Sequence, residues 1–259
     1  ANHYKTICED INTFKDATRI LYTVKVSITS QDISKNVEVT SKPFNIYISG
    51  LDTAGSINTV SRSDVNMVVT VNPVTHKILL TSIPRDYYVT LAGKNAKDKL
   101  THSGIYGIEE SVSTVENLLG IDINYYVKAN FTTVPKLVDA IGGIDVISKY
   151  AFTTHGQSVH FNYVVGKNHL NGDEALAFSR ERHAYASGDR HRVQNQQDVI
   201  TAIMKKVLSS KTIITKYNGL LKTLDGSFQT NMKTNNLTSL IKKQINSMPS
   251  WTITSQSVN

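Results

Sequence analysis

The chain has 259 residues, 40% of them hydrophobic and 19% charged, enough to bury a sizeable core in one large domain with at most a small appendage. Its formal charge of +7 points to acidic partners such as nucleic acid, anionic lipid or phosphorylated ligands. The single cysteine, Cys8, excludes an internal disulfide, and no apolar run reaches the roughly 18 residues of a membrane-spanning helix.

The chain opens with "ANHYKTICEDI", without an initiator methionine or a signal peptide. It therefore reads as a fragment whose membrane anchor would lie upstream. Residues 8–24 read as a short amphipathic helix running into a strand, and residues 27–42 as loop plus edge strand. Pro43 then punctuates, and a boundary is placed there, dividing residues 1–42 from residues 43–259. "FNIYISGLD" is an apolar run ending in Gly50 and Asp52. Residues 65–71 and 77–83 are β-rich runs joined by "NPVTH", which predicts a hairpin of buried strands. Over 103–120, Ile105, Ile108, Val112, Val115 and Leu119 recur at helical spacing and Gly120 follows as a stop. A strand at 123–130, a helix at 132–143 and a strand at 144–148 come next. Residues 170–179 predict a helix capped by Asn171 with Glu174 three residues on. A long helix begins at Asp189, with Val193, Ile200, Met204 and Val207 as its apolar stripe. Helices at 212–224 and 236–247 and a strand at 251–254 complete the chain. Strands and helices alternate but the hairpin is antiparallel, so the expected architecture is a mixed sheet with helices on both faces.

The candidate chemistry sits at element boundaries. Asp52 follows the first strand, and "SRSD" places Arg62 and Asp64 just before the next. Two carboxylates at adjacent strand ends suit a hard cation, since magnesium uses one or two carboxylates, waters and substrate phosphates. The same aspartates also suit turns bonded to local backbone. Arg85 and Asp86 close an apolar strand in "SIPRD". That arginine either enters a pocket above the sheet or pairs with Asp86 on the surface for little energy. Lys99, just before a helix, is placed to serve the same anion.

"SRERHAYASGDRHRVQNQQ" packs Arg180, Arg182, Arg190 and Arg192 with only Glu181 and Asp189 to offset them. Arg180 and Arg182 follow a helix, where the macrodipole tolerates cations; Arg190 and Arg192 lie in a first turn, where it does not. A bound anion would remove that conflict, because helix N-termini bind phosphates and arginine forks bind two oxygens at once. Arg192 and Gln196 share a face. "HAYASG" is small and flexible, as a lid would be. The competing reading is a solvated loop whose charges pair with Glu181 and Asp189. His183 and His191 flank the arginines and could orient a leaving group. No zinc spacing, P-loop, G-x-S-x-G or G-x-G-x-x-G occurs. The arginines are not interleaved with aromatics and no nucleic-acid reading motif is present, so a nucleic-acid partner is not expected.

"GLD", "SRSD", "TVNPVTHKILLTSIPRDYYV", "KDKLTHSGIYG", "TVENLLGIDINYYVKANF", "LVDAIGGIDV", "LNGDEALAFSRERH" and "GDRHRVQNQQDVI" occur in this order. This series resembles the LytR-CpsA-Psr family of bacterial envelope proteins, nearest its streptococcal CpsA-type capsule members. The resemblance implies a three-layer α/β/α sandwich around a mixed, partly antiparallel sheet, preceded by a short accessory segment. It implies a monomeric phosphotransferase on the extracellular face of the cell membrane, anchored by a segment outside this sequence. Such an enzyme moves capsular polysaccharide from a polyprenyl pyrophosphate carrier onto peptidoglycan, with magnesium (or manganese). Arg62, Arg85, Arg180, Arg182, Arg192 and Gln196 match the family's pyrophosphate-contacting pattern, with Arg190 beside them and Lys99 near the head group. Asp52 and Asp64 match its metal-binding acids, and Asp64 or Asp189 is the expected acceptor of the attacking hydroxyl's proton. Water as acceptor would make a polyprenyl pyrophosphate phosphatase of the same residues. A non-catalytic lipid- or anion-binding regulator is the third reading, and the aspartates speak against it.

Overall fold

The structure is a computed structural model that describes residues 35–258 apart from 52, 54–55, 156–158 and 186–187. The helix and strand expected over 8–24, and most of the accessory segment, lie outside the described residues. The elements run β1 (Phe44–Leu51), β2 (Ser63–Asn72), β3 (Lys77–Ser82), β4 (Tyr88–Leu91) and β5 (Ala96–Lys99). Then come α1 (Leu100–Ser103), α2 (Ile108–Leu119), β6 (Tyr125–Ala129), α3 (Thr133–Ala140), β7 (Ile144–Ser148), β8 (Phe152–Thr153), β9 (Asn162–Tyr163) and β10 (Gly166–Leu170). The last are α4 (Gly172–Arg180), α5 (Asp189–Ser209), α6 (Lys211–Thr215), α7 (Tyr217–Thr223), β11 (Phe228–Thr230), α8 (Thr234–Ser247) and β12 (Thr252–Ser257). The described residues form two compact units, one within 35–131 with 225–258 and one within 132–224.

The first unit is built on a six-stranded sheet in the order β11-β6-β1-β2-β3-β12. The expected hairpin is there: β2 and β3 pair antiparallel from Asn72↔Lys77 to Met67↔Ser82. β1 lies antiparallel to β2 and parallel to β6, while β12 runs parallel to β3, so the sheet is mixed. Strand alternation gives it two apolar faces. Tyr47, Val68, Leu79 and Tyr126 point one way and form a core with Leu100, Val112, Val115 and Leu119 of α1 and α2. Phe44, Val71 and Ile78, which share a register, point the other way with Tyr125. There Asn236 Nδ2 donates to Tyr125 Oη (2.8 Å), which sets α8 on this face with Leu237, Leu240 and Ile241 buried. Helix, sheet and helix are thus three layers, and burial of each such side chain is worth about 1.5–3 kcal/mol.

One expectation for this unit changes and one element is new. The helix expected over 103–120 is broken: α1 passes into a 3-10 turn at Gly104–Tyr106, the chain turns at Gly107, and α2 starts at Ile108. Ile105 is therefore exposed rather than part of the apolar stripe. The β4–β5 hairpin, to which the sequence reading assigns no element, pairs Tyr88↔Lys99 through Leu91↔Ala96. No strand forms over 35–43, but this stretch is tied to the unit. Lys35 Nζ bonds Glu116 (2.8 Å) and Asp122 (2.6 Å), and Thr40 O accepts from Lys243 (2.7 Å).

In the second unit β7 and β10 form an antiparallel pair, and α4 carries the predicted capping box: Asn171 Oδ1 accepts from Glu174 N (3.0 Å) and Glu174 Oε2 from Asn171 N (2.8 Å). The α5 stripe differs from expectation. Val193, Ile200 and Met204 are only half-buried, whereas Arg192, Asn195, Val199 and Ala202 are buried. Asn195 Nδ2 donates to Phe178 O (2.9 Å), so α5 lays a partly polar face on α4. The single helix expected over 212–224 is two short ones, α6 and α7, parted at Lys216. No helix among the described residues is long and apolar enough to cross a membrane.

Candidate functional site

In the first unit, strand register brings two of the predicted residues together. β2 and β3 pair Met67 with Ser82, and the same antiparallel spacing run three residues further sets Asp64 opposite Arg85. Arg85 Nη1 donates to Asp64 Oδ2 at 2.9 Å, with both side chains mostly buried. Arg85 Nε lies 3.4 Å from Asp86 Oδ2, and Lys99 Nζ bonds Asp86 Oδ1 at 2.5 Å. That lysine bond, ahead of the rest, holds the Asp86 carboxyl below the usual carboxylate range. The turn is fixed by backbone: Thr101 N donates to Arg85 O and Leu100 N to Tyr87 O, both at 2.8 Å. Lys99, the last residue of β5, is placed by its pairing with Tyr88. Charges thus alternate along Lys99, Asp86, Arg85 and Asp64, so the Arg85–Asp86 surface pair weighed from sequence is only one link of a longer chain.

Arg62 is exposed just ahead of β2. Its neighbour Ser63 is held from beneath. Tyr47 Oη donates to Asn66 Oδ1 (2.6 Å), Asn66 Nδ2 to Ser63 O (2.9 Å), and the Ser49 and Ser63 hydroxyls lie 2.8 Å apart. Burial pushes the Tyr47 phenol up to about 12, so it stays a neutral donor. Gly104 closes the loop from the side. A Cβ there would meet Ser61 O at 2.7 Å and Ser63 N at 3.0 Å, and only glycine allows that approach.

Asp52 lies outside the described residues. A hard divalent cation takes carboxylate and water oxygens, with as few as one or two carboxylates. Asp64 fits that donor chemistry, since Arg85 engages Oδ2 and Oδ1 is the other oxygen of the same carboxylate. No group of three or more His, Cys, Asp and Glu side chains suited to a metal occurs among the described residues.

In the second unit the arginines frame a loop between two helices. Arg180 is the last residue of α4; it and Arg182 are exposed, and Arg182 Nε donates to His183 Nε2 (3.3 Å). Asp189 is the first residue of α5, as expected, and the cap position is held by Gly188, whose φ of +50° lies in the left-handed region. Arg190 is exposed in that first turn, Arg192 is buried with 7% exposure, and Gln196 is half-buried one turn on.

Glu181, which the sequence offered only as an offset to the arginines, does something else. Its oxygens accept backbone N–H groups: Oε1 from Arg182 (2.9 Å), His183 (2.6 Å) and Ala184 (3.0 Å), and Oε2 from His155 (2.6 Å). The loop also ends on a ring stack, with Tyr185 against His191 (centroids 3.6 Å) and edge-on to Phe152 (5.2 Å). His183–Tyr185 are therefore pinned, contrary to the expected freely flexible lid, while residues 186–187 of that lid lie outside the described residues. A signal for Glu181 was present: an anion at a helix C-cap has the wrong sign for the macrodipole. Burial lowers His191, and Lys149 adds to that while Asp198 opposes it.

The sequence model described as the LytR_cpsA_psr family matches residues 10–259. The polyisoprenyl-teichoic acid–peptidoglycan teichoic acid transferase TagU of Bacillus anthracis is 37% identical over 193 residues, 74% of this chain and 61% of that protein. The chain thus spans less than two thirds of the curated relatives it matches first. Among solved structures, B. subtilis TagV superposes with a TM-score of 0.71 at 30% identity, over 85% of each chain. TagT bound to LIIa-WTA superposes with a TM-score of 0.69 at 26% identity, over 91% of this chain and 87% of the other.

Proposed function

The chain belongs to the LytR-CpsA-Psr family, and from that premise we propose that it transfers a lipid-linked glycopolymer from a polyprenyl pyrophosphate carrier onto peptidoglycan. Relatives named as teichoic acid transferases support the class of reaction. Capsular polysaccharide as the polymer is our finer reading and rests on the likeness to CpsA-type members. The work is done at the extracellular face of the bacterial membrane, where such a carrier presents its polymer.

The observation that carries the reading is the build of the two arginine groups: Arg85 set by strand register beside Asp64, and Arg180 at the end of α4 with Arg182 on the pinned loop that follows. Arg62, Arg85, Arg180, Arg182, Arg190 and Arg192 bind the two phosphates, Lys99 lies near the head group, and Gln196 adds an amide donor. The acceptor hydroxyl oxygen bonds to the phosphorus next to the glycan and the bridging P–O bond breaks. Polyprenyl monophosphate leaves, and the hydroxyl proton passes to Asp64 or Asp189. Arginine forks lower the barrier by holding the charge that grows on the bridging oxygen. Asp64 and Asp52 would hold a magnesium ion, which when bound supplies Lewis-acid stabilisation of the phosphoryl oxygens.

Titration of the protein with farnesyl pyrophosphate in magnesium buffer tests the reading. Binding that falls about tenfold or more in both Arg85→Ala and Arg180→Ala is expected. No binding by the unaltered chain would falsify the proposal. Phosphate release that needs no glycan acceptor would replace transfer with hydrolysis.

A further inference from the structure

We propose that Glu181 is a positioning residue: its buried carboxylate folds the loop after α4 around itself and so presets the spacing of Arg180 and Arg182 for a diphosphate. This role rests on the pyrophosphate-binding reading above and adds to it a residue that never touches the ligand. The Glu181 side chain is fully buried (0% exposed), between two exposed arginines. A buried carboxylate costs several kcal/mol unless its oxygens are satisfied. Here they are satisfied by the backbone of the very segment that bears Arg182, plus His155 N. Burial alone would push Glu181 up, yet the N–H groups of His155, Ala184, His183 and Arg182 outweigh it and hold the carboxyl below its usual range. The loop is thus wrapped on an internal anion.

The anchor is local and two-ended. His155 follows Thr154, whose N–H donates to Phe161 O (3.0 Å) and whose hydroxyl accepts from Phe161 N (3.0 Å), so Glu181 ties the loop to the β8–β9 hairpin. At the other end Tyr185 lies against His191 and Phe152. Long arginine side chains pay entropy when they converge on a ligand, and a fixed backbone lowers that cost. The carboxylate contributes by accepting from N–H groups, which leaves the backbone positions from which the two arginines reach set before ligand arrives.

A double-mutant cycle tests this, with farnesyl pyrophosphate as the probe and titration calorimetry as the readout. Glu181→Gln is isosteric but turns one accepting oxygen into a donor, and we expect affinity to fall about tenfold with a retained thermal transition. In an Arg180→Ala/Arg182→Ala background the same change should cost less than about twofold, because the residues it positions are gone. An equal loss in both backgrounds marks a merely structural residue and overturns the role, as does Glu181→Gln binding like the unaltered chain. Absence of binding by the unaltered chain is a different result, which removes the proposed function and this role with it. Should Glu181→Gln not fold, Glu181→Asp keeps the charge one methylene shorter and carries the same cycle. A loss of about threefold is then expected, and no loss overturns the role.

Discussion

Two regions of this molecule present arginines, and they hold them by opposite means. In the first unit Arg85 is set by the pairing of β2 with β3 and bonded directly by a carboxylate, Asp64. In the second unit the carboxylate beside the arginines, Glu181, grips backbone N–H groups instead. The first arrangement fixes the guanidinium itself. The second fixes the main chain and lets the side chains reach from it. Fixing a guanidinium limits where one charge can go, whereas fixing only the backbone beneath it keeps the charge adjustable.

The largest effect should come from breaking the direct arrangement. Arg85→Ala removes a fork of the proposed diphosphate site and leaves Asp64, mostly buried, without that partner. We expect diphosphate affinity to drop about tenfold to a hundredfold, about 1.4–2.7 kcal/mol by titration. A loss under twofold would show that register, and not Arg85, matters there. Gly104→Ala should rank next, since the added methyl must displace the Ser61–Ser63 backbone that carries Arg62. Destabilisation of about 1–3 kcal/mol in urea, with weaker binding, is expected. Gly188→Ala probes the second unit. A side chain at φ +50° costs about 1 kcal/mol and would disturb the start of the helix bearing Arg190 and Arg192. Unchanged stability would mean that the chain leaves that conformation freely.

The smallest effect concerns a half-buried acid, Asp198, which contrasts with Glu181. Burial pushes the Asp198 carboxyl up, although Gln194, Lys149, His191 and Lys205 pull it down. A raised folded-state value favours the proton-bound form in the fold. Its contribution to stability is full in acid, below the unfolded value, and is lost as pH rises through the folded one. Asp198→Asn should therefore raise the unfolding free energy at pH 7, by well under about 1 kcal/mol because solvent screens this partly exposed group, and change little in acid. A melting temperature that falls at pH 7 would show that the cations near Asp198 outweigh its burial.

The strands of the sheet were legible because alternation and β-branched runs report burial directly, as in "VNMVVTV". The α4 cap was legible because Asn171 and Glu174 make only local bonds. The β4–β5 hairpin was hidden by polar residues, its "AKDK" strand facing largely outward. The inward face of α5 was misread for a related reason. Apolar periodicity cannot see Arg192 and Asn195, which are buried through hydrogen bonding and packing. At the site, residue types pointed to phosphate chemistry, and Arg85 with Asp64 came together as strand ends allow. What Glu181 grips was beyond reach, because its partners are backbone groups that every sequence contains.

The pairing of β12 with β3 has a kinetic consequence. β12 joins β3 in parallel, and Val258 N donates to Ser82 O (2.9 Å), three residues before Arg85. The strand that ends in the arginine turn therefore acquires its second neighbour from a segment made long after it. Until then β3 is an open sheet edge, and such edges recruit foreign strands. Pairings of such high sequence separation also form slowly. The newly made chain thus carries an open sheet edge next to the Arg85 turn, and both are secured by the same late docking event.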